Sequence, residues 1–333
     1  MILITGAAGY IGSHTAINFL NNGYEVVAFD NLENGHIQTI NELKKMDNFR
    51  FVEGDLRNIS DIETVFNEYK IDAVIHFAAF ALVGESVENP AKYYRNNVFG
   101  TMNLLDTMVK YDVKKIVFSS TCATYGEPEY IPIDENHPQH PINPYGNSKL
   151  CVEYMLKDYD VAYGLKSIRL RYFNVAGCDE QARIGEWHEP ETHLVPNILK
   201  STFGADKKFR IFGDDYDTVD GTCIRDYVNV EDLAEAHRLA YRYLYENNKS
   251  DVFNLGTEQG NSVKQVFDTC EKVLNRKINV EIVERRAGDP AKLYANANKA
   301  KQILHWQPKR TLESSIETAY KWECNLDNFK NNI

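Results

Sequence analysis

Ile2-Leu3-Ile4-Thr5-Gly6-Ala7-Ala8-Gly9-Tyr10-Ile11-Gly12 is the stretch that decides the fold. Its first apolar residues read as a short buried strand, and the glycines at 6, 9 and 12 open a helix running to about Asn22. A strand, a glycine turn and a helix in this order form a dinucleotide-binding context. Gly6 permits the tight turn, Gly9 lets the backbone approach a pyrophosphate, and Gly12 lets helix and strand pack closely, with phosphates at the helix N-terminus. A second strand over residues 25–29 ends at Asp30, near the ~20-residue interval expected for a carboxylate that binds a ribose 2′-hydroxyl. Asp30 would repel a 2′-phosphate, so the pattern favours NAD over NADP.

Working outward, the α/β alternation continues. Residues 49–53 read as a strand ending at Gly54-Asp55-Leu56, and a helix follows near 60–69. Residues 73–77 are another strand, followed by Ala78-Ala79, whose small side chains let a flat ring lie against the backbone. Asp55 has two readings, hydrogen bonding to an adenine amine or capping the next helix. His76 reads as a hydrogen-bonded core residue rather than a ligand. A long helix over 90–111 and a strand over 115–118 then lead to Ser119-Ser120-Thr121. This places hydroxyls at the carboxyl end of a central strand, where open α/β sheets hold ligands.

Asn143-Pro144-Tyr145-Gly146-Asn147-Ser148-Lys149 supplies the chemistry. A helix starting at Pro144 puts Tyr145 and Lys149 one turn apart on one face. A free tyrosine titrates near ~10, so about one part in a thousand is phenolate at neutral pH. An ammonium ~4 Å away at an effective dielectric of about 20 favours the phenolate by roughly 4 kcal/mol before desolvation opposes it. Lys149 is therefore expected to make Tyr145 a usable general base, with Thr121 binding the same substrate hydroxyl.

Composition sets the outer bounds. A chain of 333 residues, 43% hydrophobic, exceeds one ordinary core, so a large α/β domain with a second lobe is expected. The formal net charge of −11 argues against non-specific binding to nucleic acid or anionic membrane. Cys122, Cys151, Cys178, Cys223, Cys270 and Cys324 form no C-x-x-C pair, so neither a zinc site nor a disulfide framework is indicated, and no metal is expected. No segment reads as a signal peptide or a membrane span, and a cytoplasmic location is expected.

The motifs together resemble the extended short-chain dehydrogenase/reductase superfamily: residues 5–12, Asp30, Gly54-Asp55-Leu56, His76-Phe77-Ala78-Ala79, Val83-Gly84-Glu85-Ser86, residues 118–126 and Tyr145-x-x-x-Lys149. Within it, residues 170–177, 211–216, 220–227 and 285–289 resemble the UDP-glucose 4-epimerases, and the likeness covers nearly the whole chain. It implies a Rossmann-type doubly wound parallel sheet with a smaller α/β C-terminal lobe. It also implies catalytic roles for Tyr145, Lys149 and Thr121. NAD would contact Tyr10, Ile11, Asp30, Asn31, Asp55, Leu56, Phe77, Ala79, Asn96, Lys149 and Phe173, in addition to Gly6, Gly9, Gly12 and Ala78 from the motif reading. A UDP-hexose would meet Asn174, His193, Leu194, Phe212, Arg225, Arg286, Asp289 and Leu293, besides Thr121 and Tyr145. Arg225 and Arg286 suit a pyrophosphate and Phe212 a uracil ring; read locally, Arg225 beside Asp226 is equally a structural ion pair.

The resemblance carries further expectations and two departures. The reaction is inversion at C4 between UDP-galactose and UDP-glucose through a 4-keto sugar. UDP-N-acetylhexosamine epimerisation, a sugar-nucleotide 4,6-dehydratase and a non-catalytic NAD-binding regulator are the alternatives. Ala81 stands where many relatives carry lysine, and His193 where some carry asparagine. Residues 1–177 are expected to form the NAD-binding domain, with 226–254 returning to flank it, and 178–333 the UDP-sugar lobe. A homodimer is implied through the helices 90–111 and 145–163, with Leu104, Leu105, Met108, Leu150, Tyr154 and Met155 supplying the face.

Overall fold

The computed structural model of the chain describes residues 1–203, 207–285 and 290–331. Among these the strands are β1 (Ile2–Thr5), β2 (Val26–Asp30), β3 (Phe49–Glu53), β4 (Ala73–His76), β5 (Lys115–Thr121), β6 (Lys166–Tyr172), β7 (Asn174–Ala176), β8 (Phe209–Phe212), β9 (Ile224–Asn229), β10 (Asp251–Leu255), β11 (Gly260–Ser262), β12 (Val280–Val283) and β13 (Lys292–Leu293). The main sheet has seven strands in the order β10-β6-β5-β4-β1-β2-β3, and every neighbouring pair is parallel. The order reverses between β1 and β4, which opens the crevice where such sheets take ligands.

Helices cover both faces, and the strands show why. Ile2 and Ile4 of β1, with Val26 and Ala28 of β2, enter one apolar cluster. Leu3, Val27 and Phe29 enter the other. Alternation with a period of two thus splits each strand between two cores, and a strand buried on both sides reads as an unbroken apolar run.

His76 ends β4 inside this sheet. Its Nδ1 lies 2.6 Å from Thr5 Oγ1 and its Nε2 2.8 Å from Thr101 Oγ1, which bears out the core reading. Burial, with a smaller push from the Lys149 charge, lowers it to about 3. Burial also lowers His237, whose Nδ1 lies 2.8 Å from the Leu233 carbonyl oxygen, to about 4. An unfolded histidine titrates near ~6.5, so between that pH and the folded value the unfolded chain binds the extra proton, and stability falls as the pH drops. Each of the two is expected to cost about 2 kcal/mol at pH 5. Urea midpoints at pH 7 and pH 5 check this: His237→Gln should lose about 2 kcal/mol less on acidification than the unaltered chain, and an equal loss would refute the assignment.

The chain then leaves the main sheet and comes back to it. The helix Val230–Asn247 packs on Tyr10–Asn21, and β10 pairs with β6, Asp251 opposite Ile168. β7, β9, β11 and β13 form a second sheet, and β8 pairs with β12. A third cluster, including Ile198, Phe267, Trp322 and Leu326, packs the helices Leu194–Lys200, Val263–Leu274 and Leu312–Asn331 together. The last helix runs well past Trp322 because Leu326 and Phe329 continue its buried stripe.

Two helical expectations need correction. The helix expected over 90–111 is interrupted by a π-helical turn, Tyr94–Gly100, between Pro90–Tyr93 and Thr101–Lys110. The wider turn brings Asn96 to the ligand crevice and lets Asn97 bond Phe80 N, Phe80 O and Ser148 Oγ. Of the positions assigned to a subunit face, Leu104, Leu105, Met108 and Leu150 are buried in the chain's own core, while Tyr154 is exposed.

Candidate active site

The glycine turn is shaped by contact. Gly6 has φ +72°, and a Cβ there would meet Ala78 N at 2.6 Å; at Gly12 it would meet Gly6 O at 2.1 Å. Both positions require glycine for the chain's own packing. A Cβ on Gly9 would meet only Gly6 O at 3.4 Å, so the protein alone does not demand glycine there, which fits a position reserved for a close ligand. Asp30, at the end of β2, accepts the Ala8 and Leu32 N–H groups at 2.9 Å each. Burial raises its carboxyl above the ordinary value. Asp55 is not the helix cap: Asn58 caps Ile59–Glu68. Its carboxylate instead holds Asn31 Nδ2 at 3.0 Å and the Arg57 guanidinium, and the Arg57 hydrogen bond is the main cause of its fall to about 2.

Pro144 at the first turn and Asn143, whose Oδ1 accepts Gly146 N–H at 2.8 Å, start the helix Pro144–Tyr163. Lys149 is buried, donates to Ser119 O at 2.8 Å, and lies 4.9 Å from the centre of the Phe118 ring. Thr121 ends β5, hydrogen-bonds Tyr145, and accepts Ala123 N–H at 3.1 Å. The electrostatics correct one expectation. Burial pushes Tyr145 up to about 12, against the lowering effect of the Thr121 hydrogen bond, and pushes Lys149 down to about 7. Desolvation decides, and Lys149, bonded to Ser119 O, is not among the groups that lower Tyr145, so the protein's own groups hold Tyr145 as a phenol at neutral pH.

One turn beyond Lys149 lies a group that sequence reading missed. Glu153 accepts Arg171 Nε at 2.9 Å and Nη2 at 2.5 Å, and the Ser120 hydroxyl at 2.6 Å. Arg171 Nη1 donates to Tyr125 Oη at 3.0 Å, and Tyr125 donates to Asn254 Oδ1 at 2.6 Å. Burial works to raise the Glu153 carboxyl, and Arg171 outweighs it, leaving it low. This network bolts the helix Pro144–Tyr163 to β5 through Ser120 and to β6 through Arg171. The i, i+4, i+8 spacing of Tyr145, Lys149 and Glu153 was its only sequence signal.

A cavity of about 510 Å³ joins these parts. It is lined by every cofactor-side residue expected from sequence: Gly6, Gly9, Tyr10, Ile11, Gly12, Asp30, Asn31, Asp55, Leu56, Phe77, Ala78, Ala79, Asn96, Lys149 and Phe173. On the substrate side Thr121, Tyr145, Asn174, His193, Arg225 and Leu293 line it, and so does Ala81. Leu194 and Phe212 are not among its lining residues: Leu194 packs on the third apolar cluster, and Phe212 ends β8, which pairs with β12. Arg286 and Asp289 lie outside the described residues. Arg225 Nη1 donates to Ile224 O at 2.8 Å and Pro290 O at 2.7 Å. Asp226 accepts Thr257 N–H at 2.8 Å and Thr257 Oγ1 at 2.6 Å. Glu186 and His188, which sequence reading passed over, also border the cavity.

The comparisons agree with this architecture. The family model described as GDP-mannose 4,6 dehydratase matches residues 3–319. A UDP-glucose 4-epimerase from Halalkalibacterium halodurans is 51% identical over 322 residues, 96% of this chain and 95% of that one. The crystal structure of UDP-glucose 4-epimerase from Brucella ovis in complex with NAD has a TM-score of 0.92 at 45% identity, covering 96% of this chain and 97% of that one. The enzyme from Bifidobacterium longum in complex with NAD+ and UDP has a TM-score of 0.92 at 39% identity, covering 98% and 99%. With its parallel sheet, its glycine turn and its Tyr145, Lys149 and Thr121 gathered on one cavity, the chain belongs to the UDP-glucose 4-epimerase family.

Proposed function

We propose that this chain interconverts UDP-galactose and UDP-glucose by inversion at C4, with NAD retained throughout. The observation that carries the reading is the single cavity bordered at once by the dinucleotide motif, by Tyr145 and Thr121, and by Arg225 and Leu293. Bound NAD supplies the hydride acceptor and donor, and a positive charge near the phenol. The helix start at Tyr10 and the backbone at Gly9 receive its pyrophosphate, Asp30 a ribose, and Ala78-Ala79 the flat ring. Tyr145 takes the 4-hydroxyl proton and returns it after the 4-keto sugar turns over. Thr121 donates to the phenol oxygen and connects it to the sugar hydroxyl. Lys149, raised from about 7 by any added negative charge, favours the phenolate. Arg225 holds the diphosphate, with Arg286 and Asp289 assigned to the same substrate side from the sequence motif.

Cys122-Ala123 after the catalytic threonine argues against the dehydratase, for which an Asp-Glu pair is expected there. Intact Tyr145 and Lys149 argue against a non-catalytic regulator. Incubation of the purified protein with UDP-galactose and no added NAD should yield UDP-glucose. A 4-keto-6-deoxy product, or none, would overturn the reading. The boundaries 1–177 with 226–254, and 178–333, are proposed as the cofactor and sugar-nucleotide units, and a cytoplasmic setting suits the free cysteines. Among the described residues no helix is long and apolar enough to cross a membrane.

Substrate range is assigned to Leu293. It is half-buried, borders the cavity, and stands opposite Arg225 in the β13–β9 pair. Leucine is intermediate in bulk, so plain UDP-hexoses are the main pair and UDP-N-acetylhexosamines the weaker one. Leu293→Ala should raise, and Leu293→Tyr lower, the ratio of N-acetylated to plain turnover, each by roughly 10–200-fold. An unchanged ratio in both folded variants would move the determinant elsewhere.

The homodimer is also proposed. Phe99, Met102 and Tyr154 are exposed on the two packed helical segments and form the apolar face left after intramolecular burial. Light scattering at micromolar concentration should give twice the 38.2 kDa chain mass; the mass of a single chain would remove the claim.

A further inference from the structure

Between β7 and the helix Leu194–Lys200 the chain runs as a long loop, and Glu186, His188, Glu191 and His193 bring four side-chain ligand atoms within 4.8 Å of one another. The separations are specific. His193 Nδ1 lies 2.9 Å from Glu186 Oε1 and 3.1 Å from Glu191 Oε1. His188 Nδ1 lies 3.5 Å from Glu186 Oε1 and 3.7 Å from Glu191 Oε2.

Hydrogen bonding accounts for only part of this arrangement: Glu191 Oε1 meets His193 Nδ1 at 3.1 Å and accepts the His193 N–H at 2.9 Å. A ring nitrogen carries at most one proton, whereas His193 Nδ1 faces two carboxylates. His188 Nδ1 and Glu191 Oε2 are buried with no hydrogen-bond partner, and the Glu191 side chain is only 5% exposed. These two atoms lie 3.7 Å apart, too far for a hydrogen bond. It is, however, the distance expected between two ligands of one ion. Bonds of ~2.0–2.1 Å to a tetrahedral centre place ligand atoms about 3.3 Å apart; the imidazole–carboxylate separations run from 2.9 to 3.7 Å, and the four atoms, all within 4.8 Å of one another, need only a small closure to meet one ion.

We propose that Glu186, His188, Glu191 and His193 form a four-ligand zinc site. Two imidazole nitrogens and two carboxylate oxygens suit zinc, whereas magnesium and calcium want an all-oxygen shell. Two carboxylates meet one divalent cation, and the Lys200 ammonium stands 3.7 Å from Glu191 Oε2 as a further positive charge. A closed four-ligand set leaves no open position, so the ion is structural and takes no part in the reaction.

Its setting says what it would hold. Trp187, between the first two ligands, stacks on His36 at 3.5 Å and an interplanar angle of 8°. The Glu186 carbonyl accepts the Trp322 indole N–H at 2.8 Å. Glu186, His188 and His193 border the ligand cavity, and the Tyr10 ring of the glycine turn meets His188 edge-on at 6.3 Å. The ion would therefore fasten the cavity wall beside the dinucleotide turn. Sequence reading sought zinc only among cysteines; the pattern E-x-H-x-x-E-x-H was the signal it passed over.

The test uses the full-length holoenzyme, stripped with a chelator and titrated with Co²⁺. The expected result is the intense visible absorption of a tetrahedral site, saturating at one ion per chain and bleached by one equivalent of zinc. Glu191→Gln combined with His193→Gln should abolish it. Cobalt that stays in its pale octahedral form, or that binds the variant equally, overturns the site. Should the variant not fold, X-ray absorption of the zinc-loaded unaltered protein decides. A shell of N/O atoms at ~2.0 Å with the outer scattering of two histidines supports the assignment, and a sulfur shell at ~2.3 Å or no histidine scattering refutes it.

Discussion

Tyr145→Phe is expected to lower turnover by about 10²–10⁴-fold while NAD stays bound, the range typical of removing a general base. The substitution deletes only the oxygen. The ring keeps its edge-on contact with Tyr93, 6.5 Å between centres at 80°, and Lys149 keeps its bond to Ser119 O at 2.8 Å. Packing and cofactor cradle are thus preserved, and the loss isolates proton transfer. Rates with UDP-galactose, together with the NAD released on denaturation, measure both halves. A variant that keeps more than about a hundredth of the rate would assign the base elsewhere. The assay also bears on how the base is made: because burial holds the phenol at about 12, its ionisation depends on the charges brought into the site by binding.

Arg171→Met is expected to cost about 3–5 kcal/mol of stability, because it leaves the buried Glu153 carboxylate with the Ser120 hydroxyl, at 2.6 Å, and the Arg169 charge, to which it makes no hydrogen bond. The penalty comes from the stranded charge more than from the lost attraction. Pairing the change with Glu153→Leu should recover most of the loss, since well-packed apolar replacements of buried ion pairs are often neutral or stabilising. Urea unfolding of the two single variants and the double variant measures the coupling. Strictly additive losses would mean that the two side chains do not act as a unit. A stable double variant that turns over slowly would show that the network's remaining task is to aim the catalytic helix.

The parts of this protein that could be read from sequence are those whose cause is local. The glycine spacing, the strand ending at Asp30 and the Tyr145/Lys149 turn each depend on neighbours within a few residues, and all line the cavity. What stayed hidden depends on strand order. Glu153 meets Arg171 and Ser120 only because β5 and β6 are adjacent. Leu104, Leu105 and Met108 have the apolar spacing of an interface, yet the sheet claims them for its own core. Phe212 sits in a suitable motif, and its ladder partner, Val283 of β12, lies far along the chain. The Tyr145 ionisation was misjudged for a related reason: a Coulomb estimate from helical spacing omits the burial that the rest of the fold imposes.

Opposition of Leu293 and Arg225 in one short parallel ladder has a mechanical meaning. Residues directly across a ladder project to the same side and keep a spacing of ~4.8 Å between strands. On the proposed assignment, the clamp on the immobile half of the substrate and the wall beside its swivelling half are cut from one rigid plate. The gauge between tether and turntable is then set by the ladder itself. Hexose size would then be measured against side-chain bulk on a fixed ruler, and the proposed determinant could be changed at a single residue without redrawing a loop.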